Sequence, residues 1–332
     1  MKIKILVGRG VHTFMSVNVN SVGQRKASMH TNTQKKSRFR TFWNKYGPGY
    51  IMLAPFMILF VIFALLPVIT AAGLSFTNYN ILQAPKWAGI TNYRLLFTDD
   101  DVFLIALRNT LLFALVTGPI GFFASFFFAW IIDQLKWRNA FSLAFYAPSL
   151  TSGIAMSVVW LYFFSGDRYG FLNNILINLG IINEPVLWNM DPNTILPVII
   201  IVSIWMSMGT GFLVFLAGFQ NIPKSYYEAA AIDGMKNKFQ ELVYITFPCM
   251  KPQLLFGAIN AIVGSLGVFD VAVSIAGMPS PNYAGHTIVA HLYDYAFIRF
   301  NMGYASAVAV VLFLLTFLLG RLSMKIFSSK DE

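Results

Sequence analysis

The sequence predicts an all-α integral membrane protein with six transmembrane helices. Three observations lead there: a composition too poor in charge for a water-facing surface, six apolar segments of spanning length, and a lopsided distribution of Lys and Arg between them. Hydrophobic residues make up 57% of the 332 and charged residues 11%, with a mean hydropathy of +0.63. A soluble domain carries roughly a quarter of its residues as charge. Lipid must therefore be the solvent for much of this chain.

The apolar segments fall at 50–76, 104–132, 141–164, 193–219, 252–275 and 303–327. Each is long enough to cross a ~30 Å hydrocarbon core, which takes ~20 helical residues. Their apolar character is continuous rather than alternating, which excludes barrel strands. A backbone in lipid must bond to itself, so each segment is expected to be helical. Pro55, Pro67, Pro119 and Pro197 fall inside spans, where each removes a donor and bends or ends a helix. Small residues on the fourth and fifth spans, such as Gly218 and Gly257, are expected to serve close helix packing.

The net charge of +10 does not point to nucleic acid, because ten of the 24 Lys and Arg crowd into residues 1–45. That cluster beside a span reads as a cytoplasmic anchor near anionic lipid. Only Lys86, Arg94, Arg108, Arg168 and Arg299 fall on the opposite side, against 19 on the side of the N-terminus. The bias places both termini in the cytoplasm. Residues 1–45 form a basic tail expected to be mostly disordered, 46–328 the membrane domain, and 329–332 a short cytoplasmic tail. The apolar stretch between Lys4 and Arg9 is too short for a signal-peptide core, so no cleaved leader is expected. The single cysteine, Cys249, excludes an intrachain disulfide.

The informative connection is the loop 220–251. Asn221-Ile222-Pro223-Lys224-Ser225-Tyr226-Tyr227-Glu228-Ala229-Ala230-Ala231-Ile232-Asp233-Gly234 reads as a short helix. Ser225 as cap with Glu228 would form a capping box, and Gly234 would end the helix in a left-handed turn. A second short helix fits 237–245, with Phe239, Leu242 and Val243 on one face; Phe247-Pro248 is expected to break it and Pro252 to open the next span.

Glu228-Ala229-Ala230 … Gly234 … Ile245-Thr246-Phe247-Pro248 resembles the loop motif of binding-protein-dependent ABC importer permeases. Two departures stand out: Phe247 replaces the usual Leu, and ten residues separate Gly234 from Ile245 where the common pattern has nine. One added helical residue turns a face by about 100°. Leu53-Ala54-Pro55, Leu66-Pro67, Ser75-Phe76-Thr77-Asn78, Leu107-Arg108-Asn109-Thr110-Leu111, Phe269-Asp270, His286-Thr287-Ile288 and Gly303-Tyr304-Ala305-Ser306-Ala307 resemble the carbohydrate, maltose-permease-like branch. The resemblance covers roughly residues 45–328 and implies a type I ABC importer permease fold. It also implies that Glu228, Ala229, Ala230, Asp233, Gly234, Ile245 and Pro248 engage a separate ATPase.

No phosphate-cradling G-x-x-x-x-G-K-[ST] occurs in the chain. ATP and Mg are therefore expected on a partner, with no cofactor on this chain. The implied partners are two ATPase subunits, a second homologous permease, an extracytoplasmic solute-binding protein, a sugar substrate and membrane lipid.

Asp270 is the one acid placed inside a span, beside Phe269, and an ionisable group there points to a pathway or an internal partner. Asn260 and Trp205 are further candidates to line a sugar path. Asp99-Asp100-Asp101 reads as helix capping rather than a metal site, and His286 and His291 as structural. A secondary transporter would need coupling charges within its spans. A membrane-embedded glycosyl or phosphotransferase would need several acids on one face. Asp270 alone is thin for the first, which also leaves the 220–251 loop unexplained, and the cytoplasmic loops supply the second with only scattered acids.

Overall fold

A computed structural model describes residues 38–151, 153–207 and 209–327. The expectations for 1–37 and 328–332 lie outside the described residues. The chain divides into two compact units, 1–65 and 66–332.

In the first unit, α1 (Arg38–Phe60) runs into a π turn at Val61–Leu65. It begins inside the stretch expected as tail. Its large apolar side chains face outward, with Met52 85% and Phe63 75% exposed, as lipid solvation requires.

The second unit opens with α2 (Leu66–Leu74), a two-residue antiparallel pairing of β1 (Thr77–Asn78) with β2 (Lys86–Trp87), and α3 (Thr91–Thr98). The long α4 (Asp101–Asp133) follows. At ~1.5 Å per residue it is about 50 Å long, so it projects beyond a ~30 Å core. It passes through Pro119 without interruption.

The third expected span, 141–164, is not one helix. It is α5 (Arg138–Leu150) and α6 (Gly153–Phe163), separated by a bend at Thr151. Thr151, where the bend falls, is a weak helix former. Among the described residues, five helical stretches are long and apolar enough to span alone: Lys45–Leu74, Asp101–Asp133, Pro192–Gln220, Lys251–Ala276 and Met302–Ile326. The sixth expected crossing is the broken pair α5 and α6.

After α7 (Phe171–Asn178) come α8 (Pro192–Ser207) and α9 (Thr210–Gln220). The loop contains α10 (Lys224–Ile232) and α11 (Lys238–Glu241), a π turn at Leu242–Thr246, and α12 (Phe247–Cys249). Next are α13 (Lys251–Leu266), α14 (Asp270–Ala276), α15 (Ile288–Tyr293) and α16 (Met302–Phe327).

Within this unit α4 packs along α8, α9 and α13, while α16 packs along α13 and α2. Three apolar clusters result. Phe126, Phe212, Phe215, Leu242 and Met250 fill the end nearest the 220–251 loop. Phe113, Ile195, Ile199 and Ile275 fill the middle, and Phe103, Ile288 and Tyr304 the far end. Gly257 lets α13 lie against the Phe215 ring, where a Cβ would collide.

Two of the π turns end two residues before a proline: Val61–Leu65 before Pro67, and Leu242–Thr246 before Pro248. A proline ring collides with the carbonyl four residues back. A wider i→i+5 turn moves that carbonyl aside. Phe247-Pro248 therefore does not break the second loop helix, which continues to Cys249 before the kink at Met250. The wider turn, and the three-residue connection before Lys238, are two places that can take up the additional residue between Gly234 and Ile245.

Candidate functional site

The fifth spanning segment breaks in its middle. α13 ends at Leu266, Gly267 donates back to the Val263 carbonyl at 3.0 Å, and Phe269 takes φ −137°, ψ −66° before α14 begins at Asp270. Non-helical backbone at membrane depth is tolerated where it lines a cavity or is buried in protein. Here it lines a cavity of ≈ 560 Å³ between α4, α8, α9 and α13, within the ~300–1,000 Å³ usual for small-molecule sites.

Three of the four residues expected on a sugar path, Asn260, Phe269 and Asp270, line this one cavity. Asn260 and Asp270 are exposed, and Phe269 packs its ring against Tyr293 with centroids 5.0 Å apart. Trp205 is not among the lining residues. It stands edge-on to Trp160 at 5.2 Å, a packing contact.

Sequence reasoning missed the hydroxyls that complete the wall: Thr117, Ser125, Ser203, Ser207 and Ser265. Ser203 and Ser207, four apart in an apolar helix, share a face, and that spacing was a readable signal. Ser125, Thr117 and Ser265 come from helices distant in sequence and carried none. A second hollow, along Leu104, Arg108, Leu111 and Leu115, lies open on one face of α4.

The loop at the opposite end of α9 forms a second site. α10 starts after Pro223, whose φ of −59° and ψ of 131° leave it outside the helix, and no side chain caps it. Ser225 already lies in the first turn, so the expected Ser225–Glu228 capping box is not formed. The C-terminus is as expected. Gly234 takes φ +89°, its amide donates to the Ala231 carbonyl at 3.2 Å, and that of Met235 to Ala230 at 2.9 Å. This paired arrangement satisfies the last carbonyls of the helix.

Asn237 caps the second helix by accepting from the Phe239 amide at 3.0 Å. The π turn separates the expected face. Leu242 is buried, while Phe239 and Val243 are exposed. Tyr227 and Thr246 share a hydroxyl hydrogen bond of 3.0 Å that ties the two loop helices together.

Glu228, Ala229, Asp233, Gly234 and Pro248 are exposed, whereas Ala230 is buried and Ile245 packs against the cluster around Phe215. Alongside them, Tyr226, Ile232, Phe239 and Tyr244 expose 53%, 87%, 62% and 70% of their surface. Of these four, only Phe239 had been singled out, as part of the apolar face of the second loop helix.

At the other end of α4, Asp100 caps the helix as expected, accepting from the Phe103 amide at 2.9 Å. Its second oxygen accepts from Tyr295 at 3.0 Å and Tyr304 at 2.5 Å, and lies 3.3 Å from His291 Nε2. His286 and His291 are both buried, and no metal-holding group of His, Cys, Asp and Glu occurs among the described residues. Asp294 pairs with Arg299 at 2.8 Å.

A family model described as binding-protein-dependent transport system inner membrane component matches residues 41–330. Among similar proteins is the probable ABC transporter permease protein YesP of Bacillus subtilis (strain 168), 33% identical over 86% of this chain and 93% of that protein. The arabinooligosaccharides transport system permease protein AraP of the same organism is 31% identical over 89% and 93% respectively. A crystal structure of a bacterial ABC transporter that imports the acidic polysaccharide alginate superposes with a TM-score of 0.73 at 25% identity. That match covers 88% of this chain and all of the other. The chain belongs to this family and is the permease subunit of an ABC importer, a transport subunit rather than an enzyme.

Proposed function

We propose that this chain forms one wall of the path by which a sugar or oligosaccharide enters a bacterial cell, with ATP hydrolysis supplied by partner subunits. The observation that carries the reading is the cavity at the break between α13 and α14, walled by Asn260, Asp270 and several hydroxyls beside the Phe269 ring. Carboxamide, carboxylate and hydroxyl groups suit a polyhydroxylated solute, and an aromatic face suits the apolar face of a sugar ring. The similarity to AraP supports the same substrate class.

The exposed part of the 220–251 loop, with Glu228, Ala229, Asp233, Gly234 and Pro248, is the surface we assign to the ATPase. Ala230 and Ile245 anchor that surface to the helices behind it. Two ATPase subunits, binding ATP and Mg, would draw this loop and that of a second homologous permease together. The cavity would then open outward to a docked solute-binding protein, and inward after hydrolysis. Both termini and the loop lie in the cytoplasm on this reading, which the bias of Lys and Arg supports.

The test is uptake by proteoliposomes holding this chain with its partner permease, both ATPases and the binding protein, using arabino-oligosaccharides as the first probe. Accumulation is expected only with internal ATP and external binding protein. Accumulation that follows an ion gradient and ignores ATP would establish a secondary transporter instead. For the path itself, Asp270→Leu or Asn260→Leu should lower uptake several-fold, and unchanged affinity and rate in both would remove the cavity from the path.

A further inference from the structure

The charges around the cavity are as one-sided as its polarity. Among the described residues that line it, Asp270 is the only ionisable side chain. Among the described residues no Lys, Arg or His lines the wall, and the remaining polar groups are hydroxyls and the Asn260 carboxamide. The nearest cations in sequence on these helices are Arg108 near the start of α4 and Lys251 at the start of α13, and neither lines the cavity.

Asp270 is exposed on the wall in the first turn of α14, and within the ~8–10 Å that salt leaves unscreened its carboxylate sets the sign of the field there. An anion brought beside it is repelled, an uncharged solute meets only hydrogen-bonding groups, and a cation is attracted. Resting on the reading of this cavity as the solute path, we propose that Asp270 makes the wall an anion-excluding filter, passing uncharged saccharides and rejecting uronates and other acidic sugars. The related alginate importer handles an acidic polysaccharide. The charge on this wall opposes such a cargo.

The field can be measured without knowing the sugar. In a Cys249→Ser background, Ser207→Cys places a near-isosteric thiol on the cavity wall. The assembled importer is treated with methanethiosulfonate reagents of similar size, one carrying a positive and one a negative charge. Their rates are compared with those for a small free thiol. With Asp270 present, the cation-to-anion rate ratio should exceed the free-thiol ratio by at least about tenfold. Asp270→Asn should bring it back to within about twofold, and Asp270→Glu should restore it. Asn260→Cys offers an independent reporter of the same wall.

A ratio that Asp270→Asn leaves unchanged would overturn the filter while leaving a water-accessible path in place. Thiols at both positions that react with neither reagent, with and without ATP, would instead overturn the cavity as a path, and the filter with it.

Discussion

At Asp100 one carboxylate accepts from the Phe103 amide and the Tyr295 and Tyr304 hydroxyls and lies 3.3 Å from the His291 ring. Burial alone would raise its pKa, but the Tyr304 hydroxyl, the Phe103 amide, His291 and Tyr295 together hold it below the ordinary carboxylate value of 3.8. Its stabilising contribution is therefore complete above that value and lost as pH falls through the lower one. His286 works on the same end of the molecule. Burial first, then the charge of His291, push it down to about 4, against the opposing pull of Asp294 and Asp100. Between its ordinary 6.5 and about 4 the unfolded chain takes up a proton that the folded one refuses, so stability falls as pH drops through that window.

The expected outcome is a thermal midpoint, for the purified protein in detergent, that declines from pH 6.5 to 4. At neutral pH, Asp100→Ala should cost about 2–4 kcal/mol by removing a cap and orphaning two hydroxyls. Asp100→Asn should cost less, because an Asn side chain still caps. Equal midpoints for Asp100→Ala and the parent would show the cluster to be incidental. The cap was legible from three acids ahead of an apolar run. The tyrosines were not, because they lie 195 and 204 residues downstream.

The elements show where periodicity suffices and where it does not. Spans expected at 193–219, 252–275 and 303–327 end within a residue or two of the helical stretches Pro192–Gln220, Lys251–Ala276 and Met302–Phe327. Hydropathy sets those limits, and lipid leaves the backbone no alternative. It could not show the break at Thr151 or the one at Gly267–Phe269, since both halves of each pair stay apolar. Gly234 was readable because only positive φ closes the helix with both terminal amides bonded. The Ser225 cap failed because Pro223 set the helix start two residues earlier. The π turns at Val61–Leu65 and Leu242–Thr246 left no trace beyond a following proline.

The loop's side of the membrane is itself testable at this scale. In a Cys249→Ser background, Lys238→Cys in α11 should react with an impermeant thiol reagent only in opened membranes, and Glu184→Cys in intact cells. Labelling of Lys238→Cys from outside would reverse the orientation and remove the loop from any cytoplasmic ATPase.

In the second unit as a whole, the loop and the cavity share supports. α9 ends at the loop and α13 begins from it, both line the cavity with α4, and the cluster of Phe126, Phe215, Leu242 and Met250 joins them. On the proposed reading a pull on the loop would act on walls of the cavity through packed side chains, whereas Asp100 lies at the far end of an ~50 Å helix. The central claim is that this chain is driven by an ATPase gripping the 220–251 loop, and Gly234→Val tests it most directly. Valine at φ +89° is strained by roughly 1–2 kcal/mol or more, yet nothing lies within 4 Å of its Cβ, so the damage should stay in the loop. The measurement is copurification of the ATPase with the Gly234→Val complex, together with ATP turnover with and without loaded binding protein. The expected result is a variant that still reaches the membrane and pairs with its partner permease, but loses bound ATPase or the stimulation of hydrolysis by binding protein. Parental values on both counts would contradict the assignment of this loop as the coupling element.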